Sequence, residues 1–396
     1  MIFCEKPIGE IADVTKLAGF EFTKYIKYNE TGEIIALRAL NLRKGELDLS
    51  DIKRIDRSVS EGLTRSKLYE NDILLTYTGN GYGDCAIIEE NDKYHLAPNI
   101  CKIVPNRALV EPYFLYSYIR SNDFYKQMSS NMNGSGQPTI PMKTIRTLKV
   151  PVPQMEIQKK IANIIQAINL KLRTNRAINE NLEQQAQTIF ANEFLSLESL
   201  PDGWKRGSLI DIADYLNGLA MQKYRPTADE VGIPVLKIKE LRQGSCDATS
   251  ELCSPNIKTN YIIHDGDVIF SWSGSLLVDF WCGGICGLNQ HLFKVTSNVY
   301  DKWFYYAWTK HHLERFIAVA ADKATTMGHI KRDELSKAEV LIPNETDYNR
   351  IGALLHPIYD LIIKTRIESK KLAETRDTLL PKLMSGEIDI SEVDYE

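Results

Sequence analysis

The spacing of apolar residues divides the chain into two textures, and both occur twice. From about Gln154 to Phe194 there is neither Pro nor Gly, and a heptad series runs through Ile161, Ile168, Asn175, Leu182 and Ile189. Ile157, Ile164, Ile165, Leu172 and Ala186 widen that stripe. The series returns as Ile351, Ile358, Thr365, Leu372 and Leu379, flanked by Leu354, Leu355, Leu361 and Ile362. Apolar residues at this period predict two long helices that pack on each other as a coiled coil. The shared polar step, Asn175 and Thr365, predicts a register lock, as an isolated polar core position provides. Pro357 predicts a local kink in the second helix. The remaining texture is of short β-rich runs, Ile73-Leu74-Leu75-Thr76-Tyr77 and Val268-Ile269-Phe270-Ser271-Trp272, separated by Gly-rich turns. These read as strands and hairpins.

The two textures alternate because the chain repeats itself. Gly9-Glu10-Ile11-Ala12-Asp13 returns as Ile210-Asp211-Ile212-Ala213-Asp214, and Ile34 to Gly45 as Ile233 to Gly244. Asn71-Asp72-Ile73-Leu74 with Tyr77-Thr78-Gly79 returns as Gly266-Asp267-Val268-Ile269 with Trp272-Ser273-Gly274. Aromatic helical stretches follow, Tyr113-Phe114-Leu115-Tyr116 and Trp303-Phe304-Tyr305-Tyr306. Val150 to Pro153 then matches Val340 to Pro343 at an offset of 190, which the helices keep. A fixed period of this kind defines the architecture: an α+β globule and a long helix, twice. The divisions expected are a first α+β domain at 1–153, a central helix at 154–196, a second domain at 197–343 and a distal helix at 344–390.

Composition adds boundaries to that picture. The 396 residues are 43% hydrophobic and 25% charged, ordinary globular values with material for two or three cores. Seven Cys, an odd number, fit a reducing, cytoplasmic setting better than a disulfide scaffold. The N-terminus does not read as a signal peptide. No uninterrupted apolar run reaches membrane-spanning length. A net charge of −4 removes the simplest argument for nucleic-acid binding, a strongly basic domain.

Fragments that imitate catalytic motifs fail on context. Gly79-Asn80-Gly81-Tyr82-Gly83 would need a helix directly after it to cradle a nucleotide or S-adenosylmethionine. Asp84-Cys85-Ala86-Ile87-Ile88 continues as a strand instead, so a hairpin turn is expected. No Asn/Asp-Pro-Pro-Tyr/Phe sequence and no phosphate-binding Gly-x4-Gly-Lys-Ser/Thr loop occurs. Cys246, Cys253, Cys282 and Cys286 lack the usual C-x2-C spacing of a metal site and read as buried thiols. His311-His312 has no Glu at metalloprotease spacing and reads as a surface pair or a phosphate contact. The aromatic stretches read as core.

Several segments carry a family resemblance that spans essentially the full chain. Val150-Pro151-Val152-Pro153-Gln154, Ile178-Asn179-Glu180-Asn181-Leu182-Glu183 and Leu200-Pro201-Asp202-Gly203-Trp204 are three of them. The run Thr375-Arg376-Asp377-Thr378-Leu379-Leu380-Pro381-Lys382-Leu383-Met384-Ser385-Gly386 closes the series. Together with the duplication, they resemble the specificity (S, HsdS) subunit of type I restriction–modification systems. Gly134-Ser135-Gly136-Gln137-Pro138-Thr139-Ile140 resembles the loop before each spacer helix; Thr325-Thr326-Met327-Gly328-His329-Ile330 departs from it.

The resemblance implies two target-recognition domains, each reading half of a split double-stranded DNA target, held apart by an antiparallel coiled coil. It implies a non-catalytic subunit docking two methyltransferase (M) subunits, joined by restriction (R) subunits. S-adenosylmethionine, ATP and Mg would then belong to those partners alone, with no cofactor or metal in this chain. Partner subunits would also supply phosphate contacts, so the weak acidity ceases to exclude DNA. Base reading needs Arg or Lys for guanine edges and Asn or Gln for adenine edges. Polar loop residues are therefore the candidates: Asn80, Tyr82, Asn133, Gln137, Lys143 and Arg146 in the first domain, and Ser273, Ser275, Lys323, Thr325, Lys331 and Arg332 in the second. The competing reading is a structural adaptor, two protein-interaction domains joined by a coiled coil without DNA contact.

Overall fold

A computed structural model describes residues 3–43, 45–79, 81–132, 139–322 and 332–393. The chain divides into two compact units. One comprises Met1–Leu170 with Glu374–Glu396, the other Lys171–Ala373. Each unit therefore takes one α+β domain together with a portion of both long helices, a division that cuts across the four segments expected from the sequence.

In unit 1 an antiparallel sheet orders its strands as Ala12–Lys16, Ile100–Pro105, Ile73–Thr76 and Cys85–Ile87. Along Ile73–Thr76 the side chains of Ile73 and Leu75 join one core while Leu74 joins another. A strand buried on both faces has no polar alternation, which is why Ile73, Leu74 and Leu75 are all apolar. Behind it lies a second sheet, in which Ile34–Leu37 pairs antiparallel with Lys53–Ile55 and parallel with Tyr94–Leu96. Cys4–Pro7 pairs with Lys149–Val152, tying the start of the domain to the strand that enters the long helix.

Unit 2 repeats the plan. Its sheet runs Asp214–Asn217, Leu292–Thr296, Val268–Ser271 and Leu277–Phe280, with Val268 and Phe270 in one core and Ile269 in another. Ile233–Leu236 is again parallel to its neighbour, Cys286–Leu288. Lys205–Ser208 pairs with Glu339–Ile342.

One device recurs and explains the matched Asn71-Asp72 and Gly266-Asp267. Asn71 and Gly266 both adopt left-handed backbone, with φ of 72° and 85°. Glycine does so freely and Asn at modest cost. The following Asp then accepts from a backbone N–H three residues earlier: Asp72 from Tyr69 at 2.9 Å, Asp267 from His264 at 2.9 Å. Each Asp also faces a lysine of the central strand, Lys102 at 3.6 Å and Lys294 at 2.8 Å. Each lysine donates in turn to a backbone carbonyl, that of Lys67 or Ile262. Burial raises the Asp72 carboxyl despite these partners.

The helices occupy Met155–Phe190, continuing as a π turn over Ala191–Leu195, and Glu345–Ser385. The second is started by Asn344, whose side-chain oxygen accepts from the Asp347 N–H at 2.9 Å. Within unit 2 the pairing is antiparallel, since Glu193 meets Arg350, Glu183 meets Arg366 and Lys171 meets Glu368. Within unit 1 it is antiparallel too: Asn169 meets Arg376, and Lys160 donates to the Ser391 carbonyl. The polar step is buried as expected. Asn175 donates to Glu368 at 2.8 Å and Ser369 at 3.1 Å, and Thr365 donates to Asn179 at 2.5 Å. Asn169 and Asn179 are also buried, so the seam is more polar than the heptad series suggested. The second helix continues through Pro357, which lies on its exposed face where water reaches the freed carbonyl.

The aromatic stretches are core: Tyr113 to Tyr116 and Trp303 to Tyr306 are all buried. The histidine pair divides, which corrects its reading as a surface feature. His311 is exposed, but His312 is buried, stacked on Trp308 and hydrogen-bonded through Nε2 to the Glu339 carbonyl at 2.8 Å. The last turn of Lys302–His311 packs into an aromatic cluster, and adjacent helical residues 100° apart face different surroundings. Cys253, Cys282 and Cys286 are buried and free, Cys246 half-buried. Burial pushes the Cys253 thiol up to about 11 and Cys282 up to about 12. Among the described residues no helix is long and apolar enough to cross a membrane.

Candidate nucleic-acid interface

Half of the described candidate residues, Tyr82, Ser273 and Ser275, lie at one end of each four-stranded sheet, where a hairpin turns. In unit 1 the turn joins Ile73–Thr76 to Cys85–Ile87, as the glycine spacing predicted. The Gly83 N–H donates to the Thr76 carbonyl at 2.9 Å, and Gly79 and Gly83 take φ of 85° and 87°. A Cβ on Gly83 would come within 3.1 Å of the Tyr125 ring. Tyr125 stacks on Tyr82 at 5.3 Å, and their hydroxyls share a hydrogen bond of 2.5 Å that raises the Tyr82 phenol. Beside them Thr78 forms a β-bridge to Thr139, with their hydroxyls 2.7 Å apart, and the Ile140 N–H donates to the Tyr77 carbonyl. Tyr77 is half-buried and the Lys16 ammonium sits 5.2 Å from its ring centroid, a cation–π distance.

Unit 2 builds the same end from other residues. Ser271 donates to the Ser275 carbonyl at 2.9 Å and closes a turn two residues shorter, with Gly274 at φ 65°. Trp272 takes the place of Tyr77. Asn217 takes the place of Lys16, since Lys16 pairs with Cys101 and Asn217 with Phe293 in corresponding strands. The Trp272 Nε1–H donates to Asn217 Oδ1 at 3.1 Å. His291 lies 6.4 Å from the Trp272 ring and bonds to the Ser273 hydroxyl at 3.1 Å; Gln290 adjoins it at 3.3 Å.

The predicted residues divide accordingly. Tyr82 and Ser275 lie on these turns, half-buried and exposed respectively. Ser273 lies on the turn too, but it is 1% exposed and its hydroxyl faces His291, so it organises the turn from inside. Lys143 is exposed on the short helix Met142–Thr147. Arg146 and Arg332 are a repeated pair of anchors. Arg146 donates to the Val14 carbonyl at 2.6 Å and Arg332 to the Tyr215 carbonyl at 3.3 Å, both on the strand that ends in the Lys16 or Asn217 slot. Asn80, Asn133, Gln137, Lys323, Thr325 and Lys331 lie outside the described residues.

Lys16, Tyr77, Asn217, Trp272, Gln290 and His291 were not among the sequence candidates. Tyr77 and Trp272 stood in the matched hairpin motif, and their equivalence was a usable signal. Their partners come from strands far away in sequence, and only register brings them together. Among the described residues no group of His, Cys, Asp and Glu could hold a metal ion.

The sequence model of the family described as "Type I restriction modification DNA specificity domain" matches residues 4–184 and 201–374. The MjaIX specificity subunit of a type I restriction enzyme from Methanocaldococcus jannaschii is 24% identical over 316 residues, covering 74% of this chain and 72% of that protein. The HindI specificity subunit from Haemophilus influenzae is 20% identical over 451 residues, covering 93% and 96%. The crystal structure of a type I restriction–modification S subunit from M. genitalium matches with a TM-score of 0.60 at 13% identity, covering 96% of each chain. At that identity the likeness speaks to the fold.

Proposed function

The chain belongs to the type I restriction–modification DNA specificity family, whose general role is DNA target recognition, and from that premise we propose that it reads a bipartite target, one half per unit. Its relatives are named specificity subunits, the non-catalytic recognition components of such systems. In this reading the paired helices dock two methyltransferase subunits, and restriction subunits join the larger complex. S-adenosylmethionine, ATP and Mg act in those partners. The observation that carries the reading is the repeated framework with unlike hairpin ends: two equivalent supports, each presenting different side chains, suit two different half-sites. A weakly acidic subunit of this kind binds DNA weakly alone and firmly once partners add phosphate contacts.

Co-expression with candidate methyltransferase subunits, followed by adenine-methylome sequencing, tests the proposal. The expected result is one split motif with a fixed gap. A continuous motif, or no methylation with any candidate partner, would overturn it.

A further inference from the structure

Building on the proposed bipartite reading, we infer that Lys16 and Asn217 occupy equivalent specificity slots, each reading a base through donors alone. The two positions share strand register, follow the same anchored strand and lean on the same aromatic position, Tyr77 or Trp272. Around them the framework is held constant: the left-handed residue, the Asp–Lys pair and the Arg anchor occur in both units. In a duplicated scaffold, exposed residues at equivalent positions on a constant support are placed to meet equivalent bases of the two half-sites.

The chemistry of each slot follows from its partner. Asn is normally the adenine reader, because its carbonyl and amide match adenine N6 and N7 together. Trp272 Nε1–H can only donate, so the group facing it is the Asn217 carbonyl oxygen, at 3.1 Å. With that oxygen engaged, the exposed Asn217 side chain offers its amide N–H groups. Lys16 offers three donors and no acceptor; it is exposed, and among the described residues no carboxylate pairs with it. Donors match acceptors on the major-groove edge, and guanine presents two, O6 and N7, while cytosine presents only a donor. Both slots therefore favour guanine and reject cytosine at the base they face.

The test uses the complete complex with its methyltransferase subunits and a library of DNA targets randomised one position at a time. Asn217→Asp keeps the acceptor for Trp272 and removes the donors. It should weaken the preference for guanine over cytosine at one position of one half-site by roughly ten- to hundredfold, leaving the other half unchanged. Lys16→Met, which keeps the stem over Tyr77, should do the same in the other half, and Lys16→Arg should restore it. Trp272→Phe keeps an aromatic face but frees the Asn217 carbonyl, so adenine should gain acceptance at the Asn217 position. Asn217→Ala serves as a second variant should the new carboxylate disturb folding. Unchanged motifs in both halves, with the wild-type complex still methylating a split target, would overturn the inference alone. So would a loss uniform across all sequences with a salt dependence shallower by about one phosphate contact, because that outcome makes the residues backbone contacts. A wild-type complex without a split motif would overturn the parent reading, and this one with it.

Discussion

The hairpin end of unit 1 and that of unit 2 have the same supports and opposite temperaments. Unit 1 sets a lysine on a tyrosine and stacks two further tyrosines beside a seven-residue turn. Unit 2 closes a turn of five and builds a hydrogen-bonded polar cluster from Asn217, Trp272, Ser273, Gln290 and His291. Beneath both, an Asp bonded to its own turn and to a lysine of the next strand fixes where the hairpin begins. The lesson is a division of labour. Asp–Lys ion pairs and left-handed residues define a seat, and the exposed residues one strand-end away vary without moving it.

The most severe test of that division replaces one seat entirely. Exchanging residues 1–153 for the corresponding domain of another family member should change one half of the methylated motif completely and spare the other. Methylome sequencing of the assembled complex reads the outcome. Changes in both halves would mean that the units do not read independently.

Next come the supports themselves. The Lys102 and Asp72 side chains are 8% and 5% exposed, whereas Lys294 and Asp267 are 15% and 23% exposed. Removing one partner of a buried pair strands a charge, at about 3–5 kcal/mol; water relieves a more exposed one. Asp72→Ala should therefore destabilise by about 3 kcal/mol or more, and Asp267→Ala by about half as much. Thermal unfolding of the two variants under one set of conditions checks the ranking, and equal losses would show that burial does not set the difference.

Acid should then load unit 2 through a buried imidazole. Burial, with smaller contributions from His311 and Arg315, lowers the His312 imidazole to about 4. The unfolded chain takes up that proton near 6.5 and the folded chain does not until about 4, so stability is complete above pH 6.5 and falls across that window. The loss can reach roughly 3 kcal/mol. Unit 1 carries a buried imidazole of its own, His95, which burial also holds below its ordinary range. Unfolding followed by fluorescence should thus show a pH-dependent midpoint whose slope His312→Gln reduces; an unaltered dependence would assign acid sensitivity elsewhere.

These contrasts also show what a sequence discloses. The duplication, both helices, the Asn175 and Thr365 polar step and the glycine hairpin were legible because each depends on residues close in sequence, where period and turn chemistry suffice. Tyr77 with Lys16, Trp272 with Asn217 and Thr78 with Thr139 were not, since strand register between distant segments makes those pairs. His312 was misread for a related reason: burial at a helix end depends on what packs over it, and an adjacent histidine gave no hint. The readable motif Asp72-Ile73-Leu74 marked a support, and the partners of its hairpin aromatics, Lys16 and Asn217, lay across the sheet from it.

The finest discrimination lies at the left-handed residue, where the units differ by one side chain. Asn71→Gly relieves a mildly strained backbone but loosens the unfolded chain, two effects of about 0.5–1 kcal/mol with opposite sign, so stability should barely move. Gly266→Asn is the reverse exchange. A Cβ there would meet Lys302 Nζ at 3.2 Å, the end of a flexible side chain, and Ile363 only at 3.6 Å. The pocket admits Asn after Lys302 shifts, and the cost should stay below about 1 kcal/mol. Gly266→Val offers the control: a β-branched residue at φ 85° should lose about 2 kcal/mol. Chemical unfolding of the three variants ranks them. If Gly266→Asn proved as damaging as Gly266→Val, the two seats would not be interchangeable at the one position where their sequences differ most simply.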